Sequence, residues 1–471
     1  MLFVINEELR ELAELFNKHN IDLYIVGGYV RNKILGVPDY QNVDIDLSSS
    51  ATPSLVQKII KNSDYTIDNI ENPFGVIKIK YNNKTYEHAT FRTEKYDVAG
   101  FHNPSNVEFI DDIEKDALRR DFKCNAVYYN IYKDEIIDPL GGVRDINNKI
   151  ISTTRTPADV FNDDSERIMR MVRQAVSLGF NIDDETYACA NRNSFKLKYL
   201  PKNKIKTEFE KILFADNKYP LLPNTKFAHA RGVLLLAEIN ALKYILPMLQ
   251  TIYYKNIIDD RGRNLFNHII ETFKLCEGNS IELRLALLVH DYGKAQTLIE
   301  NNNFFGNEEI GEVLIEQELG PTGLEYNRKI VNNVKKIVVN QNFDNYIIEP
   351  LWKVRLFIIN NYLQINNIIL LKKYISLNKY DKIKFNIKKL IVEYNKIKDG
   401  VYIKGVNELN ITATDIINKY KTIRTSKITE LLNKLLETVL KNSYSNTKDK
   451  LMKQVDKIIS KNKDYYIGEV M

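Results

Sequence analysis

The sequence predicts an α+β chain: a mixed sheet with helices at the N-terminus, followed by an all-α remainder. Two observations carry this. Short β-branched and aromatic runs, bounded by Gly, Asn and Asp, cluster in the first 150 residues. Beyond Thr156-Pro157, a good helix start, strand signals nearly vanish and successive helices with short loops take over. A chain of 471 residues is too long for one ordinary core. The sequence divides into a head over 1–150, a helical neck over 151–225, a helical body over 226–399 and a helical tail over 400–471. "LLPNT" at 221–225 and Gly400 mark the later breaks.

Taken in order, residues 7–19 place Leu9, Leu12, Ala13 and Phe16 at helical spacing and predict an amphipathic first helix. "DLYIV" at 22–26 reads as a buried strand that runs into Gly27-Gly28, a tight turn, and then a helix over 29–35. "VDIDL" follows as a second strand, and further strands are expected at 76–81, 85–91, 107–110 and 125–131.

Hydrophobic content of 44% and charged content of 27% are those of a soluble globular protein. The net charge of +6 permits a nucleic-acid partner without requiring one. Cys124, Cys189 and Cys276 are scattered, which suits a reducing, cytoplasmic setting. Acids inside the apolar opening segment speak against a signal peptide, and no long uncharged apolar run predicts a membrane span.

"GGYVRNKILGVPDYQNVDID" at 27–46 sets a glycine pair, an arginine and two close aspartates within twenty residues. In a strand, side chains at i and i+2 share a face, so Asp44 and Asp46 are expected to project together while Ile45 packs behind them. Two adjacent carboxylates repel unless a cation joins them, and Mg²⁺ suits such a pair together with substrate phosphates. A lone Asp-x-Asp is more often a solvated strand edge. Here Gly27 and Gly28 let backbone N–H groups approach a phosphate, and Arg31 adds a permanent charge for triphosphate oxygens. Together these parts fit transfer of a nucleotidyl group from a nucleoside triphosphate to a hydroxyl.

"GGYVRN…VDIDL…SATP" resembles motif A of class II tRNA nucleotidyltransferases, the CCA-adding enzymes, and of their bacterial poly(A) polymerase relatives, within the polymerase-β-like nucleotidyltransferase superfamily. Asn32 stands where that family usually has Asp. "YEHATFR" at 86–92 looks like the family's strand "yEvttfR", with Glu87 the candidate third carboxylate; a surface glutamate reads equally well. "LRRDFKCNAVYYN" at 118–130 is similar to motif B. The resemblance assigns Arg119 or Arg120 to nucleotide phosphates, and Asp121 and Asn125 to shaping the site. "DPLGGVRDI" at 138–146 matches the turn motif that follows, a structural role.

In "DDSERIMRMVRQAVSLGF" at 163–180, Arg167, Arg170 and Arg173 lie along one helical stripe, with Asp164 three residues before Arg167. Charge stripes are usually solvated, salt-bridged helix faces, but Ile168, Met171, Val172, Ala175 and Val176 already supply a core face. The stretch resembles the family's "EDxxRxxRxxR", with Asp163 in the position of its Glu, and the resemblance implies that Asp164 and Arg167 read the incoming base. The physical chemistry agrees with that role. Cytosine and adenine each present an amino donor beside an acceptor ring nitrogen, matching a carboxylate and a guanidinium. Guanine and uracil set a carbonyl against the carboxylate, an unmatched pair costing about 1–3 kcal/mol.

"NHIIETFKLCEGNSIELRLALLVHDYGKAQT" at 267–297 resembles the HD domain attached to many bacterial members, through His268, His290 and Asp291. Asn307 and Asn340 replace the downstream histidines of active HD domains, so a structural or vestigial HD fold is expected over a phosphohydrolase. Residues 401–471 look like the family's C-terminal segment, where lysines fit tRNA phosphates or plain solvated helix faces. The resemblance is continuous from about residue 20 to 190 and thinner beyond. It implies Mg²⁺-dependent, template-independent addition of CCA to the tRNA 3′ end from CTP and ATP. The rivals are a poly(A) polymerase or a partial CC- or A-adding enzyme, and an RNA-binding protein or HD phosphohydrolase with a vestigial transferase site. "PFGVIKIK" at 73–80, closer to the CCA enzymes' third-strand sequence than to the polymerases' basic one, favours CCA addition.

Overall fold

The computed structural model describes residues 3, 5–41, 44–68, 72–96, 104–259, 262–301, 306–343, 349–377 and 388–467. Two compact units divide the chain, one of residues 1–281 with 291–327, the other of 282–290 with 328–471.

In the first unit, helix α1 (Glu7–Asn17) buries Leu9, Leu12, Ala13 and Phe16, the stripe expected from their spacing. Strand β1 (Tyr24–Val26) leads into α2 (Gly28–Ile34). Next come β2 (Asp46–Ser49), α3 (Pro53–Ile60), β3 (Thr66–Asp68), β4 (Val76–Tyr81) and β5 (Lys84–Thr90). A ribbon of β6 (Arg92–Lys95) and β7 (Asn106–Phe109) precedes α4 (Ile113–Leu118), β8 (Tyr128–Asn130) and β9 (Glu135–Ile137). The sheet order is β3-β4-β5-β2-β1-β8-β9, with β2 and β5 parallel and the other neighbours antiparallel. Val26, Phe91, Ala117, Ala126 and Tyr128 form one cluster of its core.

Two expected strands are shorter than their sequence pattern. β2 starts only at Asp46, which pairs with Val26 on one side and Glu87 on the other. Asp44 and Ile45 precede the ladder, and Ile45 is half-buried rather than packed into the core. The apolar run at 125–131 opens as a 3₁₀ turn over Lys123–Asn125 before strand pairing begins at Tyr128, because Asn125 is drawn into side-chain bonding with Asp121.

After α5 (Gly142–Asn148), the chain turns helical. Thr156 caps α6 (Pro157–Asp163) at the Asp159 N–H, with Pro157 in the first turn. α7 (Glu166–Leu178) buries Ile168, Met171, Val172, Ala175 and Val176 completely. After α8 (Asp184–Asn193), α7 packs against α9 (Lys202–Leu213), α10 (Ala215–Lys218) and α11 (Ala228–Glu238). Helices Pro247–Lys255, Leu265–Lys274, Tyr292–Asn301 and Asn307–Leu319 complete the unit. The second unit is helical among its described residues; Leu431, Leu435, Val439, Leu451, Val455 and Tyr466 build part of its core. Each such fully buried side chain stabilises by roughly 1.5–3 kcal/mol. No described helix is long and apolar enough to cross a membrane.

Glu318 is buried in the first unit, where it accepts the Met248 backbone N–H. Burial pushes its carboxyl up to about 7, against the pull of that N–H and of the Tyr292 hydroxyl. The folded state therefore prefers the protonated acid, and the associated stability, full below the ordinary value of 4.5, is lost as pH rises through about 7. Glu318→Gln is expected to melt a few degrees above the parent at pH 8, with the gap closing toward pH 5; a pH-independent gap in differential scanning calorimetry would contradict the assignment.

Candidate active site

Gly27 ends β1 with φ of +79°, a conformation that favours glycine, and a Cβ placed there would lie 3.7 Å from Asp46 Oδ2. The tight turn and the first residue of β2 are thereby in contact. Parallel pairing sets Glu87 directly beside Asp46, and Asp44, Asp46 and Glu87 all open to solvent. Loss of surrounding water, then the charge of Glu87, raises the Asp46 carboxyl; Arg120 opposes the shift and Asp44 adds to it. The three carboxylates do not converge within 4.8 Å of one another. Their oxygens are nonetheless the hard donors that a divalent, oxygen-seeking cation takes.

Arg119 and Arg120 turn to a partner that the sequence reading missed. Asp116, fully buried on α4, accepts Arg119 Nε at 2.8 Å, Arg120 Nη2 at 3.0 Å and the Tyr128 hydroxyl at 2.7 Å. Burial acts upward on this carboxyl, but Arg120 and then Arg119 bring it down to about 2. The i, i+3 and i+4 spacing of Asp116, Arg119 and Arg120 is the signal that could have found it. Arg119 Nη1 also lies 3.4 Å from Glu94, which takes Arg92 Nε at 2.8 Å and the Tyr96 hydroxyl at 2.7 Å.

Asp121 joins this region to α7. It is buried and accepts Arg170 through Nε at 2.9 Å and Nη2 at 2.6 Å, Asn125 Nδ2 at 3.0 Å and the Phe122 N–H at 2.8 Å. Burial would raise its carboxyl, yet Arg170 and Asn125 hold it well below the usual range. Arg31 is likewise buried, donating to Asn32 Oδ1 at 3.1 and 2.9 Å, Asn125 Oδ1 at 2.5 Å and Gln174 Oε1 at 3.3 Å. Arg173 binds Glu208 of α9 at 2.6 Å. Arg170 and Arg173 thus anchor α7 to its neighbours through ion pairs.

Arg167 differs from them. It and Asp164 are 7% and 8% exposed. Its Nη2 donates to the Arg119 carbonyl at 2.9 Å, while Nη1 is buried with no hydrogen-bond partner, 3.9 Å from Asp163. Asp163 pairs with Arg155. Asp164 Oδ1 accepts the Glu166 N–H at 2.8 Å at the start of α7. Tyr96 lies within the field of both: its hydroxyl is raised by burial and then Glu94, with Arg167 opposing and Asp164 adding.

Among the HD-like residues, His268 is buried with Nε2 3.7 Å from Asp291 Oδ2 in the first unit, where Asn307 opens its helix. In the second unit, His290 Nδ1 lies 2.9 Å from the Leu287 carbonyl, and Asn340 donates to the Lys336 carbonyl at 2.8 Å.

Comparison with known proteins places this geometry. Residues 23–152 match the family described as the Poly A polymerase head domain. Over those residues the N-terminal head is similar to that domain. A CCA-adding enzyme from Anoxybacillus flavithermus is 34% identical over 251 residues, 52% of this chain and 58% of the relative. One from Bacillus cytotoxicus is 35% identical over 202 residues, 43% of this chain and 49% of the relative. The chain thus spans little more than half the length of the curated relatives it matches. In fold, the likeness is wider. The Bacillus stearothermophilus CCA-adding enzyme, solved in complex with CTP, aligns with a TM-score of 0.68 at 22% identity, over 97% of this chain and 98% of that one. The Thermotoga maritima enzyme, solved with tRNA, aligns at 0.58 and 18% identity over 96% of each. A mixed-sheet head followed by helical units is therefore the fold of this chain.

Removing one partner of a buried ion cluster strands the others, at about 3 kcal/mol. Asp116→Asn is expected to lower unfolding stability by about that amount; a loss below about 1 kcal/mol in urea denaturation would show that the cluster does not hold the two arginines.

Proposed function

We propose that the chain adds CCA to the 3′ end of tRNA without a nucleic-acid template, taking CTP and ATP as substrates. The observation that carries this reading is Arg167, whose buried Nη1 lacks a hydrogen-bond partner and has Asp163 only at 3.9 Å, while Nη2 is fixed on the Arg119 carbonyl; Asp164, equally buried, lies three residues earlier in the chain. A buried donor that makes no hydrogen bond is costly unless a ligand supplies the acceptor. A ring nitrogen of cytosine or adenine supplies one, and the amino group beside it suits the Asp164 carboxylate. Similarity to CCA-adding enzymes, one solved with CTP and one with tRNA, supports the same reading.

In the proposed reaction the tRNA 3′-hydroxyl attacks the α-phosphate and pyrophosphate leaves. Asp44 and Asp46, with Glu87 beside them, would hold Mg²⁺, which when bound lowers the cost of ionising the hydroxyl and shields the phosphate charge. The Gly27-Gly28 turn offers backbone N–H groups and Arg31 a positive charge to the triphosphate. Arg119 and Arg120, bound to Asp116, act on the phosphates through their field and support the reader: Arg119 lends its carbonyl to Arg167. Asp121, Asn125, Arg170 and Arg173 hold α7 in place.

A tRNA ending before the CCA sequence, supplied with single nucleotides, should receive two C and then one A. A long A tail would instead identify a poly(A) polymerase, and arrest after CC a partial enzyme. Arg167→Ala is expected to cut discrimination against GTP and UTP by about tenfold or more, with tRNA affinity nearly unchanged. Unaltered selectivity in single-nucleotide extension would remove the base-reading role. Asp46→Asn should lower turnover by about a thousandfold.

A further inference from the structure

Arg31 is 6% exposed, yet no carboxylate meets it among the described residues. Its guanidinium donates only to side-chain amides: Asn32 Oδ1 at 3.1 and 2.9 Å, Asn125 Oδ1 at 2.5 Å and Gln174 Oε1 at 3.3 Å. The acid nearest in the network, Asp121, is taken by two hydrogen bonds from Arg170 at 2.9 and 2.6 Å. The network therefore carries one buried acid against two arginines and keeps a net positive charge. An unneutralised buried cation is expensive unless an anion arrives to meet it.

Both flanking amides are oriented by second bonds. Asn32 Nδ2 donates to the Tyr219 hydroxyl at 3.0 Å, which leaves its oxygen for Arg31. Gln174 Nε2 lies 3.5 Å from Asp121 Oδ2, and its oxygen accepts from Asn125 Nδ2 at 2.9 Å as well as from Arg31. A Cβ on Gly28 would lie 3.4 Å from Arg31 Nη2, so that end of the guanidinium borders the glycine turn. An amide accepts the same hydrogen bond as a carboxylate without cancelling the charge. Asn32, where the resembling family has Asp, and Gln174, on the same helix as Arg167, therefore share one consequence.

We propose that Asn32 and Gln174 are positioning residues that hold Arg31 through neutral amides, so that its whole charge is presented to the phosphate groups of the incoming nucleotide. The proposal rests on the nucleotidyl-transfer reading above and says which residues set the strength of its phosphate site. A purely structural role would make the two amides matter for folding alone.

Three variants of the full chain separate the cases. Gln174→Glu and Asn32→Asp keep shape and add a negative charge, whereas Gln174→Met removes the acceptor and adds none. Pyrophosphate binding is followed by calorimetry without tRNA, alongside KM and kcat for CTP and ATP. Each acidic variant should weaken pyrophosphate binding and raise both KM values about tenfold, with kcat within about threefold. Gln174→Met should melt earlier yet bind pyrophosphate within about threefold of the parent. If Gln174→Glu does not fold, Asn32→Asp carries the test. Pyrophosphate affinity unchanged in the folded acidic variants, or weakened as much in Gln174→Met, overturns the proposal. Charge-dependent pyrophosphate binding in a protein that extends no tRNA would overturn the proposed function and leave this inference standing.

Discussion

Asp121 accepts two hydrogen bonds from Arg170, at 2.9 and 2.6 Å, and a third from Asn125 at 3.0 Å, in the buried space between the head and α7. This is the charged contact that ties α7 to the head, beside the Arg167 bond to the Arg119 carbonyl and the Gln174 bonds to Arg31 and Asn125. It keeps the Asp121 carboxyl ionised in surroundings that by themselves favour the neutral acid. Buried ion pairs of this kind add little net stability compared with apolar packing, but they define one arrangement, because any other leaves charges stranded. Through Gln174, the same contact reaches Arg31 and the glycine turn after β1.

The consequence is a division of labour among arginines of one sequence type. Arg170 and Arg173 are spent on Asp121 and Glu208, and Arg119 and Arg120 on Asp116. Among the described residues Arg31 meets only amides, and Arg167 keeps a buried donor without a hydrogen-bond partner. The paired arginines make the frame rigid, and the incompletely satisfied ones are where, in the function proposed above, the nucleotide would bind. On the other side, loss of surrounding water and then the charges of Glu87 and Asp44 raise the Asp46 carboxyl, so a cation there would relieve repulsion that the fold itself creates.

Much of this was legible from sequence. The stripe of α1, the strand-to-helix turn at Gly27-Gly28, the core face of α7 and the Thr156-Pro157 helix start follow from local periodicity and capping, which need no tertiary context. The start of β2 was not, because pairing from Val26 and Glu87 decides where the ladder begins, and Asp44 lies before it. A stripe of arginines at every third residue fixes which side of a helix they share, but not which acids await them. Asp116 was within reach of the i, i+3 and i+4 rule, whereas Glu208, Asp121 and Gln174 acquire their partners only through contacts distant in sequence. Glu94 and Tyr96 carry no motif of their own and emerge only because β6 brings them to Arg119.

The direct test of the central contact is amide hydrogen exchange in Asp121→Asn, read peptide by peptide under native conditions. The account predicts faster exchange across 166–178, in α7, with the sheet segments 24–26 and 46–49 protected as in the parent. Protection of α7 equal to the parent's, or a uniform rise in exchange over the whole first unit, would contradict the claim that Asp121 fixes α7 to the head.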